Sequence, residues 1–251
     1  PQLRFTSEAE EGLIHYAAGD ARKLLGALEL LAASPIAAAK ELERPDIARL
    51  LGVSVRAFER RGASHYDTIS ALIKSIRGSD PDAALLYLAF LIDGAEDPLF
   101  IARRLIILAA EDVGNAAPQA IGMAVAALHA LERIGMPEGR IVLAQVVTFL
   151  ASCPKSNASY LAIDRALEAV RGRAVRPPGF LLSVPPFPEK NKYQYPHDYC
   201  GGYVDQEYLP ADFQDAQFYF PTDHGQEVRL KDRLKSLGRS GRHYDAGPSS
   251  K

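Results

Sequence analysis

Residues 97–114, DPLFIARRLIILAAEDVG, are the stretch whose reading decides the fold. Asp97 suits a helix N-cap, because its carboxylate can accept from amides that no earlier turn satisfies, and Pro98 suits the first helical position. Gly114 offers a stop. Between them, Leu99, Phe100, Ile101, Leu105, Ile106, Ile107 and Leu108 cover nearly the whole circumference at helical spacing. That predicts a helix buried on all sides, whose apolar burial contributes about 10–20 kcal/mol before chain entropy is subtracted. The same helix carries Arg103, Arg104, Glu111 and Asp112. Charges on a central helix need partners or a second surface, so these four residues are predicted to lie at an oligomer interface.

Working outward, Asp67 can cap a helix in which Ile69, Leu72, Ile73 and Ile76 follow an i, i+3, i+4, i+7 pattern, stopped by Gly78. Lys74 and Arg77 share its polar face and read as solvated. Asp80-Pro81 starts the next helix, which runs to Asp93 and Gly94. Beyond the central helix, Pro118 opens AIGMAVAALHALERI, Pro137 opens a helix ending before Pro154, and Ser156 or Asn157 begins ASYLAIDRALEAVR. Short Pro/Gly connections between similar helices predict an antiparallel α-bundle over residues 63–172. Residues 1–62 read as a smaller helical bundle. Ser7 and Glu10 have capping-box spacing ahead of Leu13, Ile14 and Tyr16. Gly19 breaks that helix, and Asp20 caps ARKLLGALELLAAS, with Leu24, Leu25, Leu28 and Leu31 as its apolar face; a third helix covers Asp46 to Leu51. After Arg171 the helical periodicity stops. More than half of the Tyr and Phe lie beyond it, and residues 173–251 read as an irregular aromatic-rich arm with a short helix near Gln226 to Leu237. The fold class expected is all-α.

Composition excludes several classes. With 251 residues, 47% hydrophobic and 24% charged, the chain is long enough for a sizeable core and has the balance of an ordinary globular protein. A formal net charge of -2 gives no global argument for nucleic acid. Cys153 and Cys200 are far apart and lack metal spacing, which fits a reducing, cytoplasmic compartment. No apolar run is long enough to cross a bilayer, so no membrane partner is expected. The opening PQLRFTSEAEEG has no signal-peptide core and no Met, which reads as a fragment.

Few residues carry chemistry. Arg22 lies in the first turn of its helix, opposite the leucine stripe, where a cation is mildly unfavourable; the plain alternative is a solvated arginine. Residues 44–62, RPDIARLLGVSVRAFERRG, have helix-turn-helix features, with Arg56, Arg60 and Arg61 available to phosphates. This is the rival reading, a DNA-binding regulator using Val53 to Arg61. Against it, Arg61 falls where the second helix normally buries an aliphatic side chain, so a lid helix followed by a basic linker is preferred. Glu111 and Asp112 are adjacent and point about 100° apart, so they form no acid/base pair by themselves, and no metal site has recognisable spacing. Lys155, Ser156 and Asn157 at a helix start can hold a phosphate or DNA backbone through amides and the lysine, or can simply cap. Tyr193, Tyr195, Tyr199, Tyr203 and Tyr208 can stack bases or fasten the arm to the bundle. His197-Asp198 invites an enzymatic reading, but no nucleophile has a supporting motif.

The motifs carry a resemblance. GDARKLLGALELL resembles the sensor-2 helix in the lid of clamp-loader-type AAA+ ATPases, with Gly26 where members often have Asn. HYDTISALIKSIRGSDPDAAL, EDPLFIARRL, AAEDVG, GMPEGR, CPKSNASY, YPHDYCGGYVDQEYLP and the final G-x-E-x-x-x-x-x-R-L helix resemble, in order, the replication-associated recombination protein A family (RarA, also called MgsA), whose eukaryotic relative is the Werner helicase-interacting ATPase. The resemblance spans nearly the whole chain. It implies a lid followed by a tetramerisation domain, and a homotetramer. It implies that Arg22 reaches the terminal phosphate of ATP, with ATP and Mg²⁺ bound in the full-length protein and no cofactor in this chain. It implies DNA-dependent ATPase action at stalled forks on the nucleoid, with single-stranded or forked DNA and single-stranded-DNA-binding protein as partners. The family's ATPase core does not match here, since no G-x-x-x-x-G-K-[ST] occurs, so no catalytic residue is expected in this chain. Gly172 to Pro188 also depart from the family pattern.

Overall fold

The structure, a computed structural model, describes residues 3–17, 20–52, 63–183, 192–239 and 242–244. Its secondary structure is helical, and the extended pairing among the described residues is a single bridge between Phe5 and Leu42. The second helix of the helix-turn-helix reading lies outside the described residues.

The chain forms two compact units, Pro1–Ala109 with Ile121–Ser152, and Ala110–Ala120 with Cys153–Lys251.

In the first unit, α1 (Ser7–Ala17), α2 (Ala21–Ala32), α3 (Pro35–Ala39) and α4 (Arg44–Leu51) surround a core of Leu13, Leu31, Leu42 and Ile47, joined by Leu3, Phe5, Leu24 and Leu28. The cap of α1 is Thr6, whose hydroxyl accepts from the Ala9 amide at 3.2 Å, in place of the Ser7–Glu10 box. Asp20 caps α2 as expected, accepting from the Arg22 and Lys23 amides at 2.9 and 3.2 Å. Leu25 does not belong to the apolar face, for it is 60% exposed. Leu24, Leu28 and Leu31 keep the i, i+4, i+7 stripe, and Leu25 stands about 100° off Leu24. Helix α4 begins at Arg44, earlier than read, because Glu43 and Asp46 form a reciprocal capping box.

The same unit continues with α5 (Ala63–Arg77), α6 (Pro81–Asp93), α7 (Pro98–Leu108), α8 (Gln119–Ile134, entering at Ile121) and α9 (Gly139–Ser152). Helix α5 packs on α6, α7 and α9, and α9 also meets α6 and α7. Leu72, Ile76, Leu88, Leu91, Ile101, Leu105, Leu143 and Leu150 are buried. Asp67 is internal to α5 and not its N-cap, since that helix starts at Ala63. The central helix is not apolar all round. Ile101, Ala102, Leu105 and Leu108 form one buried stripe, while Ile107, about 200° from Leu105, is 47% exposed. The helix also stops short of Gly114. Residues Ala109–Val113 widen into a π-helical turn and Gly114–Ala116 tighten into a 3-10 turn.

The second unit holds that π turn, α10 (Ala158–Val170), α11 (Glu227–Ser236) and an arm with short 3-10 turns. Arginines fasten part of the arm. Arg165 donates to the Phe218 carbonyl at 3.0 Å and lies 5.1 Å from the Phe220 ring centre, and Arg239 lies 5.1 Å from that of Tyr208. Phe213 is buried, whereas Tyr193, Tyr195 and Tyr199 remain exposed. No described helix is long and apolar enough to cross a membrane.

Candidate functional site

Arg22 is the second residue of α2, and its side chain is exposed. Its neighbour Lys23 folds back, with Nζ 4.0 Å from the Tyr16 ring centre. Burial pushes the Lys23 pKa down, against the pull of Asp20. The two adjacent cations are therefore divided: Lys23 is spent on packing, and the Arg22 guanidinium has no ion pair among the described residues.

Three of the sequence motifs meet in the second unit around Glu227. This carboxylate is 0% exposed and is surrounded by donors. Tyr219 Oη donates at 2.7 Å, Thr222 Oγ1 at 2.6 Å and the Thr222 amide at 3.2 Å, and the Ser156 hydroxyl donates as well. Burial drives the Glu227 pKa up, but the hydrogen bonds from Ser156, Thr222 and Tyr219 outweigh it and hold it below the usual carboxyl value. Burial, with the bond to Glu227, pushes the Tyr219 phenol up to about 12. Asn115 Nδ2 extends the network to Tyr219 Oη at 3.2 Å and Ser159 Oγ at 3.1 Å.

Backbone contacts lock the same motifs. The Ser156 amide donates to the Asp112 carbonyl at 2.8 Å, and the Gln226 amide to that of Ala116 at 2.8 Å. Gly114 has φ +50, and a Cβ there would lie 2.6 Å from the Ser156 carbonyl oxygen. Gly225 has φ +54, and a Cβ would collide with the Ala116 carbonyl oxygen. The glycines of AAEDVG and G-x-E are thus needed both for a left-handed backbone and for close approach.

The remaining sequence candidates are dispersed. Ser156 is buried and faces the carboxylate of this chain. Lys155 directs Nζ to the Cys153 carbonyl at 2.6 Å, its pKa lowered by burial, and Asn157 is exposed. Arg103 pairs with Asp97 at 3.1 Å on its own helix. Glu111 is half-buried and Asp112 buried, both in the second unit's π turn. His197 and Asp198 are exposed on one 3-10 turn with no hydrogen bond to each other among the described residues. A cleft of about 670 Å³ in the arm is lined by Phe180, Lys192, Gln194, Gln206 and Glu207, not by His197.

Arg104 instead lines a cleft of about 380 Å³ between α5 and α7, with Phe100 from its own helix and Ser70, Lys74 and Arg77 from α5. The sequence offered a sign of it, since Ser70, Lys74 and Arg77 follow an i, i+4, i+7 spacing and Phe100 and Arg104 an i, i+4 spacing. Nothing local said that these two faces oppose each other. Glu227 was missed as well, because its partners are remote in the chain: Ser156 lies 71 residues away.

The chain is similar to known proteins along most of its length. The family described as MgsA AAA+ ATPase C terminal matches residues 78–238, and the AAA C-terminal domain family matches residues 1–77. An uncharacterized AAA domain-containing protein of Mycobacterium tuberculosis is 42% identical over 92% of this chain and 52% of its own length. The replication-associated recombination protein A of Haemophilus influenzae is 39% identical over 90% of this chain and 52% of its own. That of Escherichia coli K12 is 38% identical over 92% of this chain and 54% of its own. The chain thus spans about half the length of these relatives.

Proposed function

This chain belongs to the MgsA AAA+ ATPase C-terminal family, and from that premise we propose that it is the lid and assembly portion of a replication-associated recombination ATPase. In this reading the chain joins copies of itself into a homo-oligomer, a tetramer by family resemblance, and reports the nucleotide state through Arg22. ATP and Mg²⁺ are held upstream, in the part of the relatives that this chain does not span. Arg22 is the residue here that fits a nucleotide, as an exposed guanidinium on the rim of the lid bundle. The assembled protein acts in the cytoplasm on single-stranded or forked DNA, with single-stranded-DNA-binding protein as a partner.

One observation carries the assembly role. Tyr160, Ile163, Leu167 and Val170 follow one another at helical spacing on α10 and are 43, 55, 54 and 41% exposed. A contiguous apolar stripe of this kind on a helix marks an interaction surface, and a second copy presenting the same stripe would satisfy it with closed symmetry. Light scattering after size exclusion is expected to give a multiple of the 27.3 kDa chain mass. Ile163→Asp with Leu167→Asp should lower that mass while circular dichroism stays helical. A mass of one chain at every concentration would refute the assembly role.

A further inference from the structure

We propose that the cleft between α5 and α7 binds a phosphate–sugar–base unit of a single nucleic-acid strand. The proposal rests on the reading of the chain as part of a DNA-acting ATPase, and it names the residues that touch the strand.

Lys74, Arg77 and Arg104, from two helices, face one volume of about 380 Å³, a size within the range of small-ligand sites. No carboxylate lines this cleft among the described residues. Lys74 and Arg104 have no ion pair among those residues, whereas the adjacent Arg103 is matched by Asp97 at 3.1 Å. Lys74 and Arg104 facing one cleft repel each other, and an anion between them removes that cost. The floor is a different chemistry. Ile69 and Ile73 are buried beneath it, and the half-buried ring of Phe100 stands beside Arg104. Cations over an apolar floor with one aromatic ring suit a phosphodiester whose sugar and base lie against the ring. Ser70 adds a hydroxyl on the same wall. The positive patch is local, so it leaves the whole-chain charge of -2 unaffected.

The test is fluorescence anisotropy of a labelled oligothymidylate of about 20 nucleotides with the purified 251-residue chain. The doubly neutralised variant Lys74→Gln, Arg104→Gln is expected to weaken binding by about tenfold or more, and to make the slope of log affinity against log salt shallower by about 1–2. Phe100→Leu, which keeps the floor apolar but removes the ring, is expected to weaken binding about fivefold with the salt slope unchanged. Arg103→Gln, one residue away, is the control and should bind like the wild type. Light scattering of the double variant should give the wild-type mass, which separates strand binding from assembly. Wild-type affinity in the double variant, no binding by the wild type, or displacement of the oligonucleotide by an equal phosphate concentration of free dTMP would each overturn the strand site while leaving the assembly reading intact. A lowered mass in the double variant would also overturn it, by making Arg104 an interface residue.

Discussion

Glu227 shows how one side chain can hold a unit together without doing chemistry. Its charge is fully withdrawn from water and matched by Ser156, Tyr219 and Thr222, so removing it strands several donors at once. Glu227→Ala is expected to destabilise the second unit by roughly 3–5 kcal/mol, read by urea unfolding, with Glu227→Gln intermediate because a neutral amide keeps part of the bonding. The pH dependence has two edges. Because the Glu227 pKa is depressed in the folded state, its contribution is complete above the unfolded carboxyl value of about 4.3 and is lost as pH falls through the lower folded value. The Tyr219 pKa is raised to about 12, so its contribution is complete below the unfolded phenol value of about 10 and is lost as pH rises toward 12. Tyr219→Phe should remove the alkaline edge and leave the acid edge. An alkaline edge that persists in Tyr219→Phe would assign it to another group.

At the scale of elements, two glycines make opposite predictions. Gly225 precedes α11 with φ +54, and a Cβ there would meet the Ala116 carbonyl and, at 2.6 Å, Pro154 Cγ. Gly225→Ala should therefore loosen α11, costing about 1–3 kcal/mol, seen as faster amide exchange in Glu227–Ser236. Gly26 lies inside α2 with nothing within 4 Å of an added Cβ, so Gly26→Ala should stabilise by about 0.5–1 kcal/mol and raise the melting temperature of the lid. The same contrast explains what could be read in advance. Caps at Asp20, Asp80 and Asp97 were legible because donor and acceptor lie within three residues. The α7 stripe was only half legible: composition marks the helix as apolar, but which arc is covered depends on α5 and α9. The π turn at Ala109–Val113 was not legible at all, since the partner of the Asp112 carbonyl, Ser156, lies far along the chain. The motifs AAEDVG, CPKSNASY and G-x-E could each be seen. That they converge on a single carboxylate could not, because each alone reads as a cap or a turn. The same is true of the cleft: that Phe100 and Arg104 share one face of α7 follows from their spacing, but that this face is set against α5 does not.

At the scale of the whole molecule, the question is what this chain does without the rest of its family's architecture. Hydrolysis of a nucleoside triphosphate needs a phosphate cradle, a bound Mg²⁺ and an oriented water, and one lid arginine supplies none of these. The purified chain is expected to show no Mg²⁺-dependent ATP turnover above a contaminant control; saturable turnover would sink this. Joined to an upstream ATPase core, it should matter a great deal. An arginine that stabilises charge developing on the terminal phosphate is worth orders of magnitude in rate, so Arg22→Ala in the joined protein should lower turnover by at least about 10-fold. Folding should be spared, because the Arg22 side chain is exposed and the cap on α2 is made by its backbone amide to Asp20. Lys23→Ala is the informative companion. That side chain packs on Tyr16 at 4.0 Å, so its loss should lower the melting temperature of the lid slightly and leave turnover nearly unchanged. If Arg22→Ala instead lost helical circular dichroism, or if the two variants impaired turnover equally, Arg22 would be a structural residue and the nucleotide-sensing role would fall.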